Sequence, residues 1–244
     1  MNVALEIAVQ DPDGIAAAVH GGADRIELCT ALALGGLTPP AGLIAAAVAA
    51  APSVHVLVRP RTGGFEYSPA EAAVLLDDVR SALDAGARGV VVGALRHGRI
   101  DAGLVSRIRS LAGTAELTFH RAFDTLDDRG QALDQLIDLG VDRLLTSGGA
   151  SRATEGLDDI ANLVTGAAGR IQVMAGAGID AAAVAPVVAT GVVAIHASAK
   201  RTMQEVHRVD LGSLERAGAT ARDTTDEGLV RALRSALDQL GRAR

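Results

Sequence analysis

The chain has a single cysteine, no tryptophan, one tyrosine and three phenylalanines in 244 residues. A lone thiol, Cys29, cannot form an intrachain disulfide, which fits a reducing compartment and gives the expectation of a cytoplasmic protein. Four aromatic rings, at Phe65, Tyr67, Phe119 and Phe123, make no platform for stacking bases. Charge of one sign is not gathered into runs either: 23 basic and 29 acidic residues are interspersed and leave a net −6. Nucleic acid is therefore excluded as an expected partner. Long hydrophobic runs are also missing. The weakly polar stretch 181–199 is rich in alanine and broken by Pro186, Gly191 and His196, so it reads as a helix, a turn and a strand, not as a membrane span. The opening residues carry no basic cluster and place Glu6 inside the first apolar run, so no secretory signal is expected. Lysine is nearly absent, Lys200 standing alone among arginines.

What the chain does have is a rhythm. Short apolar strands start at Ala4, Arg25, Val54, Gly89, Glu116, Arg143, Ile171 and Val192, and each is followed by a helix-like stretch. The starts are roughly 20 to 35 residues apart, room for one helix and two loops per unit. Eight such units predict a closed parallel (β/α)8 barrel of the TIM type, a single domain over 1–244 with 49% apolar residues to fill its core. Asp11 before Pro12, and Ser68 before Pro69 with Glu71 three residues on, are helix starts. Glycines at Gly21, Gly86 and Gly140 sit where helices stop before the next strand. One segment departs from the rhythm: 200–225 is polar, weakly periodic and long before a last helix expected over 226–240, which marks it as functional or as a flap.

In such a barrel the C-terminal strand ends converge on one mouth, and there the sequence places Glu6, Glu27, Cys29, Arg59, His120, Arg121, Asp124, Ser147, His196 and Ser198. Alternation puts Glu27 with Cys29, Thr118 with His120, and His196 with Ser198 on shared faces. His120 is the expected proton carrier, because an imidazole titrates near neutral pH, with Glu6 or Glu27 tuning it and Asp124 and His196 completing the catalytic set. Arg59 and Arg121 are expected to hold an anionic group. Ser147, Gly148, Gly149, Gly176, Gly178 and Ser198 would add donors to it from the loops where many barrels seat a phosphate. The bland alternative is that Glu6 and Glu27 simply satisfy Arg59 or Arg121. A mixed N/O metal site from His120, His196 and a glutamate lacks the usual ligand spacing, and Cys29 reads first as a small buried hydrophobe. His55, at the far end of its strand, reads as structural, and His20, His97 and His207 as solvent-facing.

Several segments together resemble the CutC family: Leu-Glu-Ile-Ala-Val from Leu5, Gly-Gly-Ala-Asp-Arg-Ile-Glu-Leu-Cys from Gly21, Val-Arg-Pro-Arg-Thr-Gly-Gly-Phe from Val58, Phe-His-Arg-Ala-Phe-Asp from Phe119, Leu-Thr-Ser-Gly-Gly from Leu145 and His-Ala-Ser-Ala-Lys from His196. The resemblance runs from about Val3 to about Thr202. It implies a cytoplasmic TIM-type barrel with these strand ends at its mouth, and a role in copper homeostasis. It further implies Cu(I) held by two thiols, at the positions of Ala8 and Cys29, of which this sequence keeps only Cys29 as a metal ligand. A third family cysteine is replaced by Ala197, and Lys200 stands where arginine is expected. Two functions follow as expectations. One is copper homeostasis with Cu(I) binding weakened by the lost thiol. The other is an acid-base enzyme, an isomerase, lyase or hydrolase, acting on a small anionic or phosphorylated metabolite. Neither requires a cofactor beyond copper, and the expected partners are that small anionic ligand or a copper ion, with further copies of the chain as a homo-oligomer.

Overall fold

The computed structural model describes residues 3–207 and 218–242. Eight parallel strands form the closed barrel: β1 Ala4–Val9, β2 Arg25–Leu28, β3 Val54–Leu57, β4 Gly89–Val92, β5 Glu116–Phe119, β6 Arg143–Thr146, β7 Gln172–Gly176 and β8 Ala194–Ala197. They follow one another round the barrel in chain order, and β1 pairs with β8 to close it, Glu6 lying beside His196 in the register. Helices α1 Pro12–Gly21, α2 Ala41–Ala50, α3 Pro69–Asp84, α4 Ala102–Ala112, α5 Arg129–Asp138, α6 Leu157–Ala167, α7 Val184–Ala189 and α8 Glu227–Arg242 surround it. The strand starts match the sequence rhythm except that β7 and β8 begin slightly later than expected.

Strand alternation divides the apolar residues from the polar ones. Leu5, Ile7, Val9, Ile26, Leu28, Val54, Val56, Val90, Val92, Leu117, Phe119 and Leu144 face the helices in one continuous core. Each large side chain so removed from water contributes about 1.5–3 kcal/mol. The interior positions between them carry the polar groups, together with two small apolar clusters that include Leu57 and Val91, and Leu145 and Met174. Helix starts follow local chemistry: Asp11 accepts from Gly14 N at 2.6 Å, and Ser68 and Glu71 form a reciprocal capping box. At the end of α1 it is Gly22, not Gly21, that takes the left-handed conformation (φ 90°); Gly21 is small because a Cβ there would lie 2.5 Å from Val230 of α8.

The polar segment after β8 is not an irregular connection. It forms an antiparallel pair, β9 Lys200–His207 with β10 Gly218–Thr225, in the register Lys200 to Thr225; positions 208–217 lie outside the described residues. Its base is tied to the barrel through Gln10, whose amide nitrogen donates to Asp223 O at 2.7 Å while its amide oxygen accepts from Leu32 N at 2.8 Å. Among the described residues no helix is long and apolar enough to cross a membrane.

Candidate active site

The barrel interior is layered. At its base Arg25 and Arg143 share the Glu116 carboxylate, at 3.1 and 2.7 Å, and Arg143 also bonds Gln172; His55 stands 3.7 Å from the same carboxylate. One layer up, Glu6 is enclosed: Arg25 Nε donates to Oε2 at 2.5 Å and His196 Nδ1 meets Oε1 at 2.7 Å. The partner of Glu6 is thus Arg25, not Arg59 or Arg121. Arg25 and Glu27 share a strand face two residues apart, a signal the sequence carried. Burial alone would raise the Glu6 pKa, but Arg25, the hydrogen bond and charge of His196, and His55 outweigh it and hold the group at about 2.

Glu27 is the contrast. It is 6% exposed, and no hydrogen bond to its carboxyl occurs among the described residues, Oε2 being wholly enclosed. Burial, aided by the nearby Glu6 charge and opposed by His196 and Arg25, pushes its pKa up to about 7. His196 moves the same way: burial pulls it down, but Glu27 and Glu6 more than compensate and raise it.

Above this floor opens a cavity of about 550 Å³ lined by Glu27, Arg59, Phe65, His120, Arg121 and His196, with Asp124 and Gly149 at its edge. His120 directly follows β5 and caps the short 3-10 turn Arg121–Thr125, where its Nδ1 accepts from Ala122 N at 3.0 Å. An accepting Nδ1 fixes the proton on Nε2, so His120 presents an N–H that is enclosed and unpartnered among the described residues. Burial, with Arg59 and Arg121 adding to it, lowers its pKa to about 4. The imidazole is therefore neutral at pH 7, a donor and not a base. Phe65 tilts against it with ring centroids 5.0 Å apart, and Gly93 makes room for it, since a Cβ there would fall 2.0 Å from His120 Cε1. Gly93 was not legible as a site residue, because the side chain that needs its space comes from another strand.

The two arginines divide the work differently from expectation. The Arg59 fork faces carbonyls: Nη1 donates to Leu34 O and Gly36 O, both at 3.2 Å, and Nη2 to Gly63 O at 2.9 Å, whereas Nε is enclosed and has no partner among the described residues. Arg121 donates Nε to Asp124 at 2.8 Å and Nη2 to Ser147 Oγ and Ala150 O, while Nη1 is unbonded among the described residues and the side chain is 41% exposed. Asp124 itself occupies the donors that the sequence assigned to a ligand. It accepts from Thr146 Oγ1 at 2.5 Å, Ser147 N at 3.0 Å and Gly149 N at 3.1 Å, while Gly148 N turns to Thr146 Oγ1 at 2.9 Å. The N–H groups of Ser147 and Gly149 thus close on a carboxylate of the chain, and that of Gly148 on a hydroxyl. Gly176 lies under Leu145 and His196, whereas Gly178 and Ser198 line a different cleft of about 440 Å³ with Arg152 and Lys200.

Two sets of side chains carry metal-ligating atoms. Glu6, Glu27 and His196 bring ligand atoms within 4.8 Å of one another, but both Glu6 oxygens are already bonded, which leaves two donors. For Cu(I) the fit fails. Cys29 is fully buried under Leu32 and Leu57, and its thiol donates to Val9 O at 3.5 Å. Burial and the Glu27 charge raise its pKa well above the ordinary thiol value, so the ligating thiolate is disfavoured. Met174 Sδ accepts from Arg25 at 3.3 Å, and no second thiol exists to complete a soft chelate.

Comparison with known proteins follows the same outline. The sequence model of the CutC family matches residues 3–201. A CutC family protein of Rhizobium meliloti (strain 1021) is 42% identical over 240 residues, 97% of this chain and 96% of that protein. One from Vibrio cholerae serotype O1 is 44% identical over 207 residues, 83% and 82% of the two chains. The crystal structure of a CutC protein from Streptococcus agalactiae, named for copper homeostasis, superposes with a TM-score of 0.76 at 30% identity, covering 80% of this chain and 98% of its own. Thiamine phosphate pyrophosphorylase from Pyrococcus furiosus, at 16% identity and a TM-score of 0.61, shares the barrel alone.

Proposed function

The chain belongs to the CutC family, and for this member we propose acid-base catalysis on a small anionic metabolite held in the barrel mouth. The observation that carries the reading is the pair of unpartnered groups in one cavity: the Glu27 carboxyl and the His120 Nε2–H. Glu27 carries the proton, because a base poised near 7 is both substantially ionised at neutral pH and strong enough to accept one. Glu6, Arg25 and His196 set its basicity. His120 donates a hydrogen bond from a neutral ring, and Arg121 Nη1 meets the anionic group of the ligand. This exchanges the roles expected from sequence, where His120 carried the proton and Glu27 tuned it.

Copper homeostasis, the role in the name of the Streptococcus agalactiae relative, is the second reading, and the retained Cys29 is the feature in its favour. Thermal denaturation separates the two, because a ligand at a hundred times its Kd adds about 2.7 kcal/mol to the native state. A panel of phosphorylated and carboxylate metabolites, and Cu(I) buffered by a chelator, is titrated into the wild type, Glu27→Gln and Cys29→Ala. The expected result is stabilisation by a metabolite that is lost or weakened in Glu27→Gln, with no Cu(I) effect. Stabilisation by Cu(I) alone, abolished in Cys29→Ala, overturns the proposal.

A further inference from the structure

Resting on the acid-base reading, we infer that the substrate is a small carbonyl compound and that the step is removal of a C–H proton next to its carbonyl, by Glu27, with the carbonyl oxygen on His120 Nε2–H and Arg59 Nε–H.

The protein leaves three polar atoms of the cavity side chains unmet. Among the described residues, Glu27 Oε2, Arg59 Nε and His120 Nε2 are enclosed, lack a partner and belong to side chains lining the same cavity. Leaving such an atom unmet costs about 1–3 kcal/mol each, so a ligand that meets all three regains that cost. One atom accepts and two donate. The complementary ligand carries one oxygen acceptor with room for two donors, which is a carbonyl, and a proton to give at the other side. Both donor side chains pack on one ring: Arg59 Cζ lies 5.2 Å from the Phe65 centroid and the His120 ring tilts against it at 5.0 Å, and the Arg59 charge acts on the imidazole. The walls beside them are apolar, with Leu32, Leu57 and Leu145, so the charge that develops on the oxygen is stabilised in a low-dielectric setting where fixed donors count most.

The residues present disfavour the other reaction classes. Glycoside hydrolysis needs two free carboxyl groups, and here Glu6 is locked by Arg25 and His196 while Asp124 is wrapped by its own nest. A Schiff-base lyase needs a lysine in the cavity. Lys200, the one lysine, is paired to Asp223 at 2.5 Å and lines the other cleft. What remains is one proton carrier facing a pair of oxygen donors, the minimum for enolisation, and a neutral imidazole that polarises a carbonyl is an established part of that chemistry.

The step balances without any further reactant. The Glu27 carboxylate takes the proton, the C–H electron pair becomes the new C=C bond, and the carbonyl π pair moves onto oxygen as an enolate held by His120 and Arg59. Where the deprotonated carbon carries a hydroxyl, return of the proton to the neighbouring carbon isomerises the compound, as the hydroxyl gives its proton to the enolate oxygen and becomes the new carbonyl; return to the original carbon racemises or exchanges it.

The test is ¹H NMR in D₂O with glyceraldehyde, dihydroxyacetone, erythrose, ribose and fructose, each free and phosphorylated, followed for loss of the hydrogen next to the carbonyl. Binding is read in parallel from thermal shifts. We expect exchange of at least one compound by the wild type, about 10²–10⁴-fold slower in Glu27→Gln and about 10²–10³-fold slower in His120→Gln, both variants melting cooperatively. Glu27→Asp, which keeps the carboxyl, should retain part of the rate. Exchange undiminished in Glu27→Gln overturns the inference. Binding that depends on Glu27 without exchange also overturns it but leaves the acid-base reading standing, whereas neither binding nor exchange removes both.

Discussion

Asp124 and Glu27 are both nearly buried carboxyl groups at the same cavity, one at its rim and one at its floor, yet the protein treats them in opposite ways. Asp124 is surrounded by a guanidinium, two backbone N–H groups and hydroxyls. Glu27 receives no hydrogen bond among the described residues. The wrapped group is a fastener: it pins the turn after β5 to the loop after β6 and aims Arg121. The bare group is costly to keep charged, and the proposed acid-base role gives it work in which a proton comes and goes. Completeness of pairing, more than residue type, separates scaffold from site here.

The largest way to break that contrast is Asp124→Ala, which strands the Arg121 guanidinium and the N–H groups of Ser147 and Gly149. Arg121 is half exposed and can be rehydrated, but the donors left unmet cost about 1–3 kcal/mol each, so guanidinium unfolding should show a loss of about 2–5 kcal/mol with an unchanged slope. A loss below about 1 kcal/mol would mean that the nest is not a fastener.

Glu27→Gln sharpens the comparison through pH. Because the Glu27 pKa is raised in the native state, from 4.5 to about 7, its contribution to stability is complete below the unfolded value and is lost as pH rises through about 7. The difference between the ends of that window is about 3 kcal/mol. Relative to the wild type, Glu27→Gln should therefore be more favoured at pH 8 than at pH 4.5, by up to that amount. A pH-independent difference between the two proteins would contradict the account.

Gly93→Ala tests the donor side with a smaller effect. The added methyl group overlaps the His120 ring, and relief of such overpacking costs about 1–3 kcal/mol; the ¹⁵N shifts of His120 should move with the melting point. The smallest effect is expected at Cys29. Competition against a Cu(I) chelator should give an affinity no tighter than about micromolar, and Cys29→Ala should leave it nearly unchanged. Sub-picomolar binding that vanishes in Cys29→Ala would place the copper role on this thiol after all.

The barrel was legible because its strands are buried on both faces and stand out as apolar runs, with Asp11 and the Ser68 and Glu71 pair marking where helices begin. The ribbon of β9 and β10 was not, since a two-stranded ribbon with exposed residues such as Arg201 to Gln204 shows no alternation of apolar and polar positions. The shorter ribbon Leu95–Arg96 with Arg99–Ile100 was hidden for a different reason: its turn puts His97 at φ 51°, where asparagine or aspartate is the usual signal. At the site, which residues converge followed from strand position, and Glu27, Arg59, His120, Arg121, Asp124, Gly149 and His196 do share one cavity. Who bonds whom did not follow. The Glu6 to Arg25 pair depends on the stagger of β1 against β2, and the engagement of Arg59 by Leu34, Gly36 and Gly63 depends on loop paths that no local pattern encodes.

The central claim is that Glu27 exchanges a proton near neutral pH while its neighbour Glu6 does not. The direct measurement is carboxyl ¹³C NMR of the two side chains across pH 3 to 9, assigned with Glu27→Gln and Glu6→Gln. The account predicts a Glu27 midpoint near 7 and a Glu6 signal that stays ionised to the acid end, its midpoint lying at about 2. Midpoints for both groups in the ordinary carboxylate range, near 4.3, would contradict it.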